Sequence, residues 1–201
     1  MAVSKLWLIN EGGLSRVLQY AANPKKTNNK LYVNGINCEP ETAYEEFTAV
    51  KHSYAKTGGI EAYHGYLSFK EQDITPELSL KIGTEFAQEV WGKRFQVLVT
   101  VHTDTEHPHC HFVINSVSFV DGKKLWGKEK AWFKFKQTAD RLCEKYGLYY
   151  NPKPVRGKSS SYHYNREKKG EPTRYLLARE AMEKALLQCT NTADLRYTLA
   201  K

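Results

Sequence analysis

Four of the seven histidines in this sequence lie in one short segment, His-Thr-Asp-Thr-Glu-His-Pro-His-Cys-His, from His102 to His111. Side chains two residues apart on a β-strand point to the same face, so His109 and His111 are predicted to project side by side. A short polar turn can fold His102, at the end of the preceding strand, back toward this pair. Three imidazoles around one point are a typical ligand set for a divalent metal ion.

Three protein ligands leave coordination positions open, which favours a catalytic metal ion that binds a substrate oxygen such as that of a phosphate. Asp104 is a candidate for orienting one ligand histidine, and Asn115, which continues the strand face of the histidine pair, is a second candidate for supporting the metal ligands. His107 lies in the turn and is a phosphate contact, a fourth ligand or a residue without a role. Affinity favours Mn²⁺ or Zn²⁺, whereas cellular abundance favours Mg²⁺. A structural metal site and surface histidines without a metal are the alternatives.

The hydrophobic pattern predicts the elements that must position these histidines. The element order is β-α-β-α-β-α-β-β-α, which indicates an α/β (α+β) fold with a mainly antiparallel sheet of about five strands flanked by helices. The strands are predicted at 3–9, 31–38, 60–69, 95–102 and 109–119, and the helices at 12–23, from about 40 to 57, 75–90 and 129–146.

The composition divides the chain into three parts. Residues 1–150 are predicted to form one catalytic domain, and residues 151–172, with three prolines and two glycines among many Lys and Arg, a basic linker or arm. Residues 173–201 are predicted to form C-terminal helices at about 173–189 and 193–200. The last helix has no terminating residue, so we expect these helices to begin a longer region.

Charge and cysteine content restrict the partners and the compartment. Thirty Lys and Arg against 22 Asp and Glu give a net charge of +8, which favours a polyanionic partner such as nucleic acid. The four cysteines are far apart in sequence, which argues against a disulfide framework and a cysteine-rich zinc site. No apolar stretch of about 18 residues and no secretory signal is present, so we expect no membrane insertion and a cytoplasmic location.

The segment 102–117 has the pattern His-x-Asp-x-x-His-x-His-x-His-Phe-Val-x-Asn-Ser-Val and resembles the metal motif of conjugative relaxases, also called mobilisation nucleases. These enzymes belong to the His-hydrophobic-His (HUH) endonucleases, and the chain resembles their MobP-like branch. The resemblance spans most of residues 1–150. It includes Tyr20-Ala-Ala-Asn-Pro-Lys-Lys-Thr, Tyr32-Val-Asn-Gly-Ile-Asn-Cys38 and His64-Gly-Tyr-Leu-Ser-Phe69.

The resemblance implies a metal-dependent enzyme that nicks one DNA strand at a transfer origin and later rejoins it, for conjugation or mobilisation of a plasmid or integrative element. A tyrosine attacks the scissile phosphate, forms a 5′-phosphotyrosyl link and leaves a free 3′-OH. In this family the nucleophile lies on the first helix, which implies Tyr20. Tyr32 is the second candidate, and a tyrosine at the edge of the core is the alternative for Tyr20. Asp104 or a histidine is a candidate base, although a separate base is not required.

Two groups of basic and aromatic residues are predicted to contact DNA, since cations neutralise phosphates and aromatic rings stack on bases. A solvated helix face and a disordered arm are the alternatives. The first group surrounds the fourth helix and the second lies in the arm; they are Lys123, Lys124, Trp126, Lys128, Lys130 and Trp132, and then Arg156 and Lys158.

The resemblance further implies single-stranded DNA and an adjacent DNA hairpin at the transfer origin as partners. Accessory relaxosome proteins and a coupling protein are expected in addition, and the protein is expected to be transferred with the DNA strand. Two other functions remain open from the sequence. One is an HUH nuclease for replication or transposition, and the other is a non-enzymatic nucleic-acid-binding protein with a structural metal.

Overall fold

A computed structural model describes residues 3–69, 74–105, 107–125, 129–149, 166 and 169–188. Its elements follow the predicted order, and the helix predicted at about 173–189 is present. The strands are β1 (Val3–Ile9), β2 (Val33–Ile36), β3 (Ala62–Ser68), β4 (Val97–His102) and β5 (His109–Asn115). The helices are α1 (Leu14–Ala21), α2 (Ala43–Ser53), α3 (Pro76–Val90), α4 (Glu129–Lys145) and α5 (Arg174–Gln188).

The five strands form one sheet in the order β1-β3-β5-β4-β2, and every neighbouring pair is antiparallel. This arrangement confirms the predicted fold class. Four strands are shorter than predicted, and the difference is largest for β2 and β5, where the chain turns before the apolar pattern ends. Asn37, with φ of 57°, ends β2, and the bond from Ser118 N–H to Lys123 O turns the chain soon after β5.

Alternation along the central strands gives the sheet two different faces. Val97, Val99 and Val101 point toward α3 and belong to the large apolar cluster that includes residues of α3 and α4. Leu98 and Val113 point the other way and pack with apolar residues of α1 and α2. We call these the α3 face and the α1 face. All three predicted metal-binding histidines share the alternation of Leu98 and Val113, so they belong to the α1 face.

Helix α1 receives its N-terminal cap from a distant side chain. The Glu61 carboxylate accepts hydrogen bonds from the backbone N–H groups of Gly13 (3.1 Å) and Leu14 (2.9 Å). A carboxylate at this end satisfies free N–H groups and interacts favourably with the helix dipole. Four apolar residues then hold the helix against the sheet, namely Leu14, Val17, Leu18 and Ala21.

Close contacts divide the chain into two compact units, residues 1–152 and residues 153–201. The predicted division at 150 and 172 remains a prediction, as do the roles of its three parts. The predicted helix at 193–200 lies outside the described residues. No helix in the described ranges has the length and apolar character needed to cross a membrane.

Candidate active site

The β4–β5 hairpin brings the three predicted metal-binding histidines together. His102 and His109 are register partners on adjacent strands, and His111 lies two residues farther along β5. The His111 ring centroid is 4.2 Å from that of His102 and 4.9 Å from that of His109. One ring nitrogen from each residue lies within 4.8 Å of the other two, so the three histidines can hold one metal ion.

Hydrogen bonds decide which nitrogens face this point. His102 Nε2 lies 2.9 Å from the carbonyl of Ala21, and His109 Nδ1 lies 3.0 Å from the carbonyl of His107. A carbonyl oxygen only accepts hydrogen bonds, so each of these nitrogens carries the proton. The lone pairs are therefore on His102 Nδ1 and His109 Nε2, which are the atoms available to a metal ion.

His111 is held by a fourth histidine, His64 of β3, for which no role was predicted. His111 Nδ1 lies 3.0 Å from His64 Nε2, and the two rings stack with their centroids 5.0 Å apart. If His111 Nδ1–H donates to His64, the lone pair of His111 is on Nε2. Period-two alternation places His64 on the same face as Tyr66, but only the pairing of β3 with β5 brings it to His111.

Two ligand atoms of this cluster are buried without a hydrogen-bond partner among the described residues, His102 Nδ1 and His111 Nε2. A buried lone pair without a partner is costly, and a metal ion would satisfy both. The donor set, three nitrogen atoms with open positions beside them, is also typical of catalytic divalent metals. On both grounds the residues present fit a divalent metal ion.

Burial favours the neutral form of His64, His102 and His111, and the neutral imidazole is the form that binds metals. Burial, together with the charges of neighbouring histidines, lowers the pKa of His111 to about 2. Burial and the charge of His102 lower the pKa of His64 to about 4. Burial also lowers the pKa of His102, although its hydrogen bond to Ala21 acts in the opposite direction.

Tyr20 lies on α1 directly against the histidine cluster. Its ring centroid is 5.4 Å from that of His102, 5.8 Å from that of His111 and 5.9 Å from that of His64, each in an edge-to-face arrangement. The side chain is 45% exposed, so a substrate can reach it. The bond from His102 to the Ala21 carbonyl ties the C-terminal end of this helix to the cluster.

Lys26 and Asp104 form an ion pair beside Tyr20. Lys26 Nζ lies 3.0 Å from Asp104 Oδ2 and 4.7 Å from the centroid of the Tyr20 ring. Their mutual hydrogen bond raises the pKa of Lys26 and lowers the pKa of Asp104. The hydrogen bond to the Asp104 carboxylate comes from Lys26, in the loop after α1. The role of Asp104 in orienting a ligand histidine stays a prediction.

Asn115 shares the strand face of the histidines but serves another part of the structure. Its amide donates to Phe47 O at 3.2 Å and to Gln96 Oε1 at 2.9 Å, and its oxygen accepts from Val117 N–H. Val113 separates it from His111 along the strand. This buried amide joins α2 to the far end of β5, and its support of the metal site stays a prediction.

Tyr32, the second candidate nucleophile, lies on the other side of the sheet. Its side chain belongs to the apolar cluster of the α3 face, and its hydroxyl donates to Glu77 Oε1 at 2.6 Å. Tyr32 directly precedes β2, and its hydrogen bond to Glu77 of α3 holds the side chain away from the α1 face. The geometry therefore favours Tyr20 as the tyrosine that serves the histidine site.

The predicted DNA contacts are only partly within the described structure. Lys123 Nζ lies 3.5 Å from Asp121, and Lys124 Nζ donates to Gly58 O at 2.6 Å. Both lysines follow the end of β5 that is remote from the histidines. Trp126, Lys128, Arg156 and Lys158 lie outside the described residues. Only the backbone is described for Lys130 and Trp132, in α4.

Comparison with known proteins identifies the family. The family model described as "Relaxase: MobA/VirD2-like, nuclease domain" matches residues 20–148, which is more than half of the chain. The chain belongs to this relaxase family. The match begins at Tyr20 and includes the whole histidine cluster. It lies within residues 1–150, over most of which the sequence resembles relaxases.

Curated relatives come from Staphylococcus aureus. One protein named rlx is 36% identical over 148 residues, which are 74% of this chain and 44% of the relative. A second protein of that name is 35% identical over 134 residues, which are 67% of this chain and 39% of the relative. The chain thus spans less than half the length of the curated relatives it matches.

Solved relaxase structures share the fold at low sequence identity. The MobM relaxase domain bound to plasmid pMV158 oriT DNA, with Mn bound, has a TM-score of 0.56 and 12% identity, covering 83% of this chain and 98% of that one. A structure described as the molecular basis of vancomycin resistance transfer in Staphylococcus aureus has a TM-score of 0.55 and 13% identity. That similarity covers 80% of this chain and all of the other.

The contact of His64 with the histidine cluster gives it a testable role. Replacing it by alanine is expected to weaken Mn²⁺ binding by about 10- to 100-fold, because His111 loses the partner that fixes its tautomer and ring orientation. Isothermal titration with MnCl₂ measures the affinity, and circular dichroism checks the fold. His64→Gln, which keeps a hydrogen-bond acceptor, should restore part of the affinity. His52→Ala, an exposed histidine of α2, is the matched control. Unchanged Mn²⁺ affinity in His64→Ala would refute the positioning role.

Proposed function

We propose that this chain is the nuclease domain of a relaxase that nicks and rejoins one strand of single-stranded DNA at a transfer origin, in conjugation or mobilisation. The observation that carries the proposal is the position of Tyr20, an accessible phenol in ring contact with convergent neutral histidines. Membership of the relaxase family supports it independently.

We further propose that His102 Nδ1, His109 Nε2 and His111 Nε2 bind a divalent metal ion. Mn²⁺ and Mg²⁺ are the first candidates and Zn²⁺ is the third, given the nitrogen ligands and cellular abundance. When bound, such an ion polarises a phosphate oxygen and stabilises the negative charge that develops there. The protein's part is to keep three lone pairs converging on one point, which the hydrogen bonds of the three rings to Ala21, His107 and His64 achieve.

Tyr20 is proposed as the nucleophile. Its hydroxyl oxygen forms a bond to the scissile phosphorus while the bond to the 3′ oxygen breaks, which produces a 5′-phosphotyrosyl link and a 3′-OH. The phenol proton leaves to solvent, which the exposed side chain contacts, and the 3′ oxygen takes up a proton. In the reverse step the 3′-OH attacks the phosphotyrosyl phosphorus and releases the tyrosine. The His102–Ala21 bond and the Glu61 cap hold Tyr20 in place for both steps.

Lys26 is proposed to stabilise the negative charge that develops on the Tyr20 oxygen. Lys26→Ala is therefore expected to slow single-turnover adduct formation by about 10- to 100-fold, because a nearby fixed cation is lost. Lys26→Arg should retain most of the rate, and Lys25→Ala, its exposed neighbour, should have no effect. Rapid-quench measurement with a labelled oligonucleotide gives the rates. A wild-type rate in Lys26→Ala would show that this cation does not assist the tyrosine.

The function itself is tested by incubating the chain with a single-stranded oligonucleotide from the transfer origin of the element that encodes it, with MnCl₂ or MgCl₂. We expect a covalent protein–DNA adduct on a denaturing gel, together with a cleavage product whose 3′-OH a polymerase extends. A scrambled oligonucleotide is the control. Metal binding without cleavage of any origin strand would contradict the proposal and favour a nucleic-acid-binding protein with a structural metal. Cleavage at a replication or transposon origin alone would assign the chain to another HUH nuclease role.

The remaining partners follow from this function as proposals. We propose that the protein binds a DNA hairpin beside the nick site, with Arg156 and Lys158 of the basic arm as candidate contacts, and that Lys123 and Lys124 separately contact DNA. Accessory relaxosome proteins and a coupling protein are the proposed protein partners. The reaction is proposed to begin in the cytoplasm, where the origin DNA is located, and the covalent link would carry the protein with the transferred strand.

A further inference from the structure

The α1 face of β1 and β3, at one edge of the sheet, carries an exposed aromatic and basic surface beside the histidines. The register aligns His111 of β5 with Tyr66 of β3 and Lys5 of β1 in one row across the sheet. The next row places Trp7 of β1 opposite His64. The side chains of these rows therefore form one continuous surface with the histidine cluster.

Ring contacts join this surface to the site. The Trp7 indole stacks on His64 with centroids 5.3 Å apart and planes 29° apart, and it lies 5.6 Å from the ring of Tyr66. Lys5 Nζ lies 5.2 Å from the centre of the indole. Trp7 is 37% exposed although it is a large apolar side chain. We name Lys5, Trp7 and Tyr66 the β1–β3 platform.

The charge of the platform favours an anionic ligand with flat apolar parts. Neither β1 nor β3 contains an acidic residue. Lys5 has no ion-pair partner within the described part of the chain. Aromatic rings beside a free cation are the features by which proteins bind single-stranded nucleic acid, because bases stack on the rings and the cation neutralises the backbone.

The position of the platform indicates which nucleotide it would hold. His64 contacts the Trp7 ring at 5.3 Å and the Tyr20 ring at 5.9 Å, so only one imidazole separates the indole from the proposed nucleophile. A strand whose phosphate reaches Tyr20 therefore has a neighbouring base within reach of Trp7. Lys123 and Lys124 follow the opposite end of β5 and cannot hold that same nucleotide.

We propose that the β1–β3 platform binds a nucleotide directly beside the scissile phosphate, with its base stacked on Trp7 and Tyr66 and its backbone beside Lys5. This inference rests on the proposed relaxase function. Stacking tolerates every base, so the platform supplies affinity and alignment of the strand and leaves recognition of sequence to other residues.

The affinity test uses a fluorescein-labelled single-stranded origin oligonucleotide and fluorescence anisotropy, with and without MnCl₂. Trp7→Ala is expected to weaken binding by about 5- to 100-fold, the range for loss of one stacked base, whereas Trp7→Phe should retain most of the affinity. Leu8→Ala is the matched control, because Leu8 follows Trp7 on the same strand, is 56% exposed and points to the opposite face. Wild-type affinity in Trp7→Ala would overturn the proposal.

A second measurement separates stacking from damage to the metal site, since Trp7 also contacts His64. Mn²⁺ affinity of Trp7→Ala should stay within about twofold of wild type, unlike the larger loss expected when a partner of a ligand histidine is removed. A loss of DNA affinity that occurs only together with a loss of Mn²⁺ binding would overturn the platform.

Photo-cross-linking tests the unaltered chain, so the result does not depend on a variant that folds. Oligonucleotides with 5-iododeoxyuridine at each position beside the nick are irradiated, and the cross-linked peptide is mapped by mass spectrometry. We expect the cross-link at Trp7 or Tyr66 from a nucleotide adjacent to the scissile phosphate, and cross-links confined to other peptides would contradict the proposal. The covalent adduct at Tyr20 is an independent readout: an adduct without these cross-links refutes the platform alone, and cross-links without an adduct refute the nicking function alone.

Discussion

Tyr20→Phe is expected to abolish the covalent protein–DNA adduct and to lower strand cleavage by roughly 10⁴-fold or more, as loss of a nucleophile does in other covalent enzymes. The substitution removes only the hydroxyl oxygen that would bond to phosphorus. The ring keeps its edge contacts with His102, His111 and His64, so Mn²⁺ and DNA binding should persist. A denaturing gel of single-turnover reactions measures the adduct and the cleaved strand together.

The matched control for this experiment is Tyr32→Phe. That variant loses the hydrogen bond to Glu77 on the α3 face, and we expect it to form the adduct at the wild-type rate. Adduct formation that survives in Tyr20→Phe would move the nucleophile to another residue, which peptide mapping of the adduct would identify. Loss of the adduct in both variants would point to a general effect on folding, which thermal unfolding reveals.

His111→Ala is expected to lower Mn²⁺ affinity by at least about 100-fold, more than removal of an outer partner does, and to reduce cleavage to the level of the chelator-treated wild type. His111 contacts the rings of both other ligands and is hydrogen-bonded to His64, so its loss removes both a ligand and that hydrogen bond. Isothermal titration with MnCl₂ and the cleavage assay measure the two effects.

Metal removal provides the matching experiment on the wild-type chain. Treatment with EDTA should stop cleavage, and added Mn²⁺ should restore it, whereas His111→Ala should stay inactive at the same Mn²⁺ concentration. His107→Ala serves as a comparison within the turn, because its carbonyl, which orients His109, remains after the substitution. Wild-type Mn²⁺ affinity in His111→Ala would place the metal outside the three-histidine cluster. Thermal unfolding of each variant checks that the buried substitution has not unfolded the domain.

Local patterns in the sequence determined much of the fold. The order of strands and helices follows from apolar periodicity, and the predicted antiparallel sheet flanked by helices is confirmed. The same period of two placed His109 and His111 on one face, and a short turn was enough to bring His102 opposite His109. These features depend on residues close in sequence, whose relative directions backbone geometry restricts.

The partners of these histidines depend on contacts between residues far apart in sequence. His64 and His111 are 47 positions apart, and Ala21 and His102 are 81 positions apart. Only the pairing of β3 with β5 and the packing of α1 on the sheet create these bonds. The same packing brings Lys26 to Asp104. From the sequence, Asp104 was predicted only to orient a ligand histidine.

The strand order also decided which aromatic residues lie beside the site. Trp7 is more than ninety positions from His102 in sequence, yet β1 pairs with β3 and β3 with β5, so its indole reaches the histidine cluster through His64. An apolar pattern predicts that a strand exists and which of its residues share a face. It does not specify the neighbouring strand, because backbone hydrogen bonds are alike at every sheet edge and the choice is made by packing of the whole domain.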